Sequence, residues 1–120
     1  MTPMEAMRAL FAAREAGDAD ALRDLFCDDG IYVDPLKPAT LTGVEEVVEG
    51  NRPAMAAIAD CRITVDLELE RDGVAVVEGT FASRLVESGG RLDFAFMAVA
   101  TMRDGRIERL AEYFDTRPLV

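Results

Sequence analysis

Tyr32, Asp34 and Glu112 are the side chains whose types and spacing best suit them to move a proton. In Gly30-Ile31-Tyr32-Val33-Asp34-Pro35 an apolar run ends in a carboxylate set against a proline. Tyr32 and Asp34 stand two residues apart, so in an extended strand they project from one face. Pro35 disfavours helical backbone at Asp34 and keeps it extended, which aims the carboxylate. A carboxylate in apolar surroundings is poorly solvated, so its pKa rises and it becomes a better base. The competing reading of Asp34-Pro35 is the start of a turn, with the carboxylate capping nearby amides. Tyr32 is either a donor to a ligand oxygen or a core tyrosine with one satisfied hydroxyl.

Glu112 is singled out by alternation. Leu110, Glu112 and Phe114 share one strand face, which sets a carboxylate between two large apolar side chains. A buried, unpaired glutamate is costly. It is therefore held for function or paired to an arginine, with Arg84, Arg91 and Arg109 the candidates. Two carboxylates driven to different pKa values by one apolar pocket can divide acid and base roles. Met55, Phe81, Phe94, Phe96, Met102 and Phe114 read either as the wall of a pocket for an apolar ligand or as plain core. The chain has no histidine, so Cys27 and Cys61 lack the usual activating base, and neither a nucleophilic nor a metal role is expected of them. Arg91-Leu92-Asp93 reads as an ion pair at a rim, and Asp115 as a structural partner of Arg117.

The bulk composition bounds what surrounds these residues. A chain of 120 residues fits one domain, residues 1–120, with room for one core. Its net charge of −10 argues against nucleic acid and anionic membrane surfaces as partners, since both recruit clustered Lys and Arg. The sequence carries no signal-peptide pattern and no apolar stretch long enough to span a bilayer, so a cytoplasmic location is expected.

The elements that must position the candidates follow from periodicity. Met4, Met7, Leu10, Phe11 and Arg14 recur at helical spacing and predict a helix over Pro3–Ala16, closed by Gly17. Asp18 should cap a second short helix carrying Leu22, Leu25 and Phe26, with Asp28-Asp29-Gly30 turning the chain out of it. Thr42-Gly43-Val44-Glu45 has capping-box spacing and predicts a third helix through Val44, Val47 and Val48, which Gly50 and Pro53 should kink or split. From Arg62 to Glu70 the period is two, with Ile63, Val65, Leu67 and Leu69 expected inward. Strands over Val74–Val86, Arg91–Met102 and Ile107–Asp115 follow, with Asp72-Gly73 and Asp104-Gly105 as hairpin turns. Helices first and an antiparallel meander after make an α+β domain.

Three segments carry a family resemblance: EAGDADALRDLFCDDGIYVDP (Glu15–Pro35), LTGVEEV (Leu41–Val47) and RDGRIERLAEYFD (Arg103–Asp115). In this order the chain resembles the NTF2-like superfamily, in its SnoaL-like and ketosteroid-isomerase-like branch. That resemblance implies a cone-shaped, cystatin-like roll, with three N-terminal helices packed on a curved antiparallel sheet that encloses an apolar pocket. It further implies a homodimer formed through the sheet, and a small apolar metabolite as partner with no cofactor. Asp34 falls where ketosteroid isomerases keep their general base, while Leu10 and Ala98 stand where those enzymes keep oxyanion donors. Glu112 falls where limonene-epoxide-hydrolase-like members keep an acid, and Tyr32 and Asp34 fall on their Tyr-x-Asn. Gly79 and Phe81 occupy the place of their Arg-x-Asp. The expected function is cofactor-independent acid–base chemistry of isomerase, dehydratase/cyclase or hydrolase type. In it Asp34 moves the proton, Glu112 supplies the complementary acid or positions a water, and Tyr32 orients the substrate oxygen. Non-catalytic binding of a lipophilic ligand, a dimeric interaction module, and an epoxide-hydrolase-like enzyme are the alternatives.

Overall fold

The computed structural model describes residues 1–35 and 39–119, so the end of the Asp34-Pro35-Leu36-Lys37-Pro38 stretch lies outside the described residues. Helix α1 spans Pro3–Ala16. Thr2 accepts from the Glu5 amide while Glu5 accepts from the Thr2 amide, a reciprocal cap that satisfies two otherwise orphaned donors. Gly17, at φ 68°, ends the helix in the left-handed conformation open to glycine. A 3-10 helix over Ala19–Asp24 follows, and helix α2 spans Val44–Ala56. The three expected helical segments are therefore two α-helices and one 3-10 helix.

The predicted box on Thr42 does not form. Thr42 closes a strand, Gly43 is the N-cap, and no side chain caps α2. Nor does Pro53 split α2. It lies near the C-terminal end, where proline removes one backbone bond and the rest of the ladder continues to Ala57, whose N–H reaches the Pro53 carbonyl.

Among the described residues six strands form one sheet: β1 (Phe26–Asp34), β2 (Ala39–Thr42), β3 (Ile58–Arg71), β4 (Val74–Leu85), β5 (Arg91–Arg103) and β6 (Arg106–Phe114), in the order β2-β1-β6-β5-β4-β3. The sheet is mixed rather than wholly antiparallel, because β1 runs parallel to β6. Asp28-Asp29-Gly30 is not a turn but an irregular passage inside β1, where the register with β6 shifts between Phe26 and Ile31. Gly30 is required there: a Cβ would lie 2.9 Å from the Ile107 carbonyl oxygen. Asp72-Gly73 and Asp104-Gly105 are the hairpin turns, with both residues of each at positive φ.

Strand β3 departs from its expected alternation. Val65 pairs with Gly79 but Leu67 pairs with Glu78, so one extra residue is inserted and the face presented by the strand flips. Ile63 and Val65 pack on the core, whereas Leu67 and Leu69 are 48% and 58% exposed. Glu68 and Glu70 take the inward phase instead and meet α1: Arg8 pairs with Glu68 at 2.7 Å, and Glu70 accepts from the Met4 amide at 2.8 Å. Gly79 permits the bulge, since a Cβ would sit 2.1 Å from the Thr64 carbonyl oxygen. Met7, Leu10, Phe26, Val47, Val48, Ile107 and Leu110 are fully buried between the helices and the sheet's inner face.

Candidate functional site

The inner face of the sheet and the two helices leave a cavity of about 290 Å3 between them. Its walls are Phe11 and Arg14 from α1, Tyr32 from β1, Asn51, Ala54 and Met55 from α2, Ile58 and Ile63 from β3, and Phe81 from β4. Leu92, Phe94 and Phe96 from β5, with Glu112 and Phe114 from β6, complete them. Alternation places these strand residues. Phe94, Phe96 and Ala98 pair with Phe81, Gly79 and Val77 on one side, while Phe96 and Ala98 pair with Phe114 and Glu112 on the other. Cross-strand partners share a face, so the aromatic rings and the carboxylate of Glu112 converge on one side of the sheet. Phe81 and Phe94 stack at 4.6 Å, Phe94 and Phe114 lie 5.2 Å apart, and Phe11 meets Phe96 edge-on at 5.6 Å. Met55, Phe81, Phe94, Phe96 and Phe114, the candidates for a ligand-pocket wall, all line this cavity. Met102 instead packs, partly buried, against the core.

At one end of these apolar walls lies a cluster of charge. Glu112 is 5% exposed and paired with Arg14, whose Nη1 and Nη2 donate to its two carboxylate oxygens. The Tyr32 hydroxyl donates to Oε1 of the same carboxylate, and Nη2 of Arg14 also lies 3.4 Å from the phenol oxygen. The guanidinium carbon sits 5.9 Å from the centre of the Tyr32 ring. The arginine expected among Arg84, Arg91 and Arg109 is thus Arg14. Arg84 pairs with Asp60 and Arg91 with Asp93. Asp115 pairs with Arg117, as expected.

The cluster fixes its own ionisation. Burial on its own raises the pKa of Glu112, but the charge of Arg14 and hydrogen bonds from Arg14 and Tyr32 outweigh it and hold the carboxyl below its ordinary value. Burial lowers Arg14, and the charge of Glu112 with the hydrogen bonds to Glu112 and Tyr32 more than reverses that, so the guanidinium is held more firmly protonated. Tyr32 is raised, by burial first and then by the Glu112 charge, with a further contribution from Asp34. The resting cluster is a cation, a carboxylate and a neutral phenol.

Asp34 closes β1 opposite Ala39, is 8% exposed, and is not a free carboxylate. It is not among the residues that line the cavity. Its charge nonetheless reaches the Tyr32 phenol. Leu10 is buried in the core, and Ala98 is buried directly across the ladder from Glu112. Phe81 is spent on the aromatic wall, and Gly79 lies under the Phe96 ring with 3.2 Å to a Cβ placed there.

Sequence reasoning missed Arg14, Asn51 and Phe11 as site residues. The signal was present. Arg14 follows Leu10 and Phe11 at spacings of four and three on the apolar stripe of α1, and Asn51 follows Val47 and Val48 in the same way on α2. A polar side chain on a helix face that otherwise buries itself marks a place where the fold accepts desolvation.

A two-helix roll with a hollow, polar-ended core is also the fold of solved NTF2-like and ketosteroid-isomerase-like proteins. The chain belongs to the family of SnoaL-like domains, whose model matches residues 7–110. Among solved structures it is similar to a hypothetical protein of ketosteroid-isomerase-like fold from Catenulispora acidiphila in complex with trimethylamine. The two are 24% identical with a TM-score of 0.81, over 94% of this chain and 86% of that one. An NTF2-like protein of unknown function from Burkholderia pseudomallei matches at 24% identity and TM-score 0.82, over 98% and 93% of the two chains. An LEH-like epoxide hydrolase of M. tuberculosis matches at 20% and 0.79, over 93% and 81%. At these identities the likeness is one of fold. No curated protein matches the chain.

Proposed function

We propose that the chain is a cofactor-independent acid–base enzyme acting on an apolar, oxygen-bearing metabolite held in the cavity. One observation carries this reading: a buried ion pair with a phenol, Arg14–Glu112–Tyr32, ends a cavity walled otherwise by aromatic and aliphatic side chains. Buried ion pairs seldom add stability over an apolar filling of the same volume, so stability gives little reason to keep one beside an empty space. A substrate oxygen entering this end takes a hydrogen bond from the guanidinium, which also stabilises negative charge developing on that oxygen. As Arg14 is drawn toward the substrate, Glu112 loses part of what holds it ionised and becomes a stronger base. Tyr32 then passes its proton to Glu112 as it takes one from a substrate carbon; returned through Tyr32 to a different carbon, that proton completes an isomerisation, and delivered to a departing hydroxyl it completes an elimination with release of water. Asp34 acts through Tyr32, its charge keeping the proton on the phenol.

The test needs no knowledge of the net reaction. With 2-tetralone as probe in deuterated buffer, exchange of its α-protons followed by NMR should be faster with protein than without. Tyr32→Phe and Glu112→Gln should each lower that acceleration by about 100-fold or more, the scale of a lost acid–base group. Unaccelerated exchange with the ketone demonstrably bound would overturn the catalytic reading. It would favour the second one, a lipophilic-ligand binder. The observation on that side is that both oxygens of Glu112 are already occupied by Arg14 and Tyr32. On either reading we propose a homodimer joined through the outer sheet face, where Leu67, Leu69 and Met97 are exposed.

A further inference from the structure

The polar atoms around the cavity are not confined to the cluster of Arg14, Tyr32 and Glu112. Asn51 also lines it, from α2, and is 9% exposed. The buried residues of α2 are Val47, Val48, Asn51 and Met55, so the asparagine sits within an otherwise apolar stripe. An apolar residue would fill that place without desolvating an amide, and asparagine is a poor helix former. Neither packing nor propensity accounts for it. Its Nδ2 donates to the Val47 carbonyl at 2.7 Å. That bond uses one of the two Nδ2 hydrogens on the helix backbone and fixes which way the amide faces, so that its acceptor, Oδ1, is offered to a molecule in the cavity.

We propose that Asn51 is a second polar pole of the cavity, accepting a hydrogen bond from a ligand O–H or N–H. The site then selects apolar molecules that carry an oxygen acceptor at one position and a hydrogen-bond donor at another. The inference rests on the reading above, that the cavity takes an apolar oxygen-bearing molecule, and names which such molecules it prefers. The two poles are chemically complementary. Arg14 keeps N–H groups that Glu112 does not use and so receives a carbonyl or ether oxygen, whereas Asn51 offers an acceptor and so receives a hydroxyl or amine. The stacked rings of Phe81 and Phe94 and the ring of Phe114 line the same cavity and favour a flat body. A hydroxy ketone satisfies both poles, a simple ketone one, a hydrocarbon neither.

The probes are 2-acetylnaphthalene, its isomers bearing one hydroxyl on the distal ring, and the methyl ethers of those isomers. Affinities are measured by titration calorimetry on the wild-type chain and on Asn51→Leu and Asn51→Ala. At least one hydroxyl isomer should bind wild type about fivefold or more tightly than the parent ketone, the increment of one net hydrogen bond. Its methyl ether, which cannot donate, should lose that gain. Both variants should lose it too, their affinities for the hydroxyl isomer and the parent ketone falling within about twofold of each other. The methyl-ether comparison is made within the wild-type chain and stands even where a variant fails to fold. Parent-ketone binding with no hydroxyl isomer favoured, or a gain that survives in the ethers or the variants, overturns the assignment of Asn51 alone. Absence of binding by every probe to folded protein overturns it together with the reading of the cavity on which it rests.

Discussion

Replacing Arg14 by methionine keeps most of the side-chain volume and removes the only cation in contact with Glu112 among the described contacts. The two side chains are 11% and 7% exposed, so solvent cannot replace the lost partner. Deleting one member of a buried ion pair typically costs about 3–5 kcal/mol, because the other charge stays desolvated. Here the Tyr32 hydroxyl still donates to the carboxylate, which places the expected loss at about 3 kcal/mol. That is a large share of the roughly 5–15 kcal/mol that holds a typical domain together. With a urea m-value of about 1.5 kcal/mol/M, the midpoint should fall by about 2 M. The chain has no tryptophan, so far-UV circular dichroism is the suitable signal. The control is the double variant Arg14→Met with Glu112→Leu, which removes both charges and fills the site. It should return to within about 1 kcal/mol of wild type or exceed it, since apolar replacements of buried pairs are often neutral or stabilising. A single-variant loss under about 1 kcal/mol, or a double variant no better than the worse single, would refute the buried-pair energetics.

The same pair gives a pH signature. Glu112 is held below its ordinary value of 4.5 in the folded chain, so its contribution to stability is complete above that value and is lost as pH falls through the lower folded one. Glu112→Gln should therefore show a shallower fall in urea midpoint than wild type from pH 5 downward, and parallel acid limbs would remove Glu112 from the acid response. On the outer sheet face, Leu67→Lys with Leu69→Lys should change monomer stability by only about 0.5 kcal/mol or less, as expected of surface positions. If the proposed homodimer uses this face, light scattering coupled to size exclusion should then report a monomer for the variant against a dimer for wild type. A collapse in stability would mean that these leucines face inward after all.

Much of the architecture was legible because it rests on local signals. Pro3 and Gly17 bracket α1, and Asp72-Gly73 and Asp104-Gly105 supply the positive-φ pairs that hairpins require. Where the reading failed, a non-local partner decided. The alternation of Ile63, Val65, Leu67 and Leu69 is perfect in sequence, but the strand slips by one residue opposite Gly79, and nothing within β3 records where its neighbour has a glycine. Glu68 and Glu70 could have warned of it, being charges assigned outward that find partners on α1 only from the inward phase. The parallel pairing of β1 with β6 was hidden for a similar reason, since hydrophobic pattern encodes faces and not strand direction.

The candidate site divides along the same line. Glu112 was found by alternation in β6, and the need for an arginine partner followed from the cost of burying it. Which arginine could not follow from strand periodicity, because the partner comes from a helix 98 residues away in the chain. It could have followed from helix periodicity. Arg14 breaks the apolar stripe of α1 as Glu112 breaks the apolar face of β6, and two buried charges of opposite sign in one small core have few places to go but to each other. Applied once more, that reasoning isolates Asn51, a polar residue on the buried stripe of α2 whose capacity the Val47 carbonyl only partly uses. Asp34 stands apart from these residues: it is buried at the end of β1 but does not line the cavity, so its burial says less about the cavity than the burial of Arg14, Glu112 or Asn51 does.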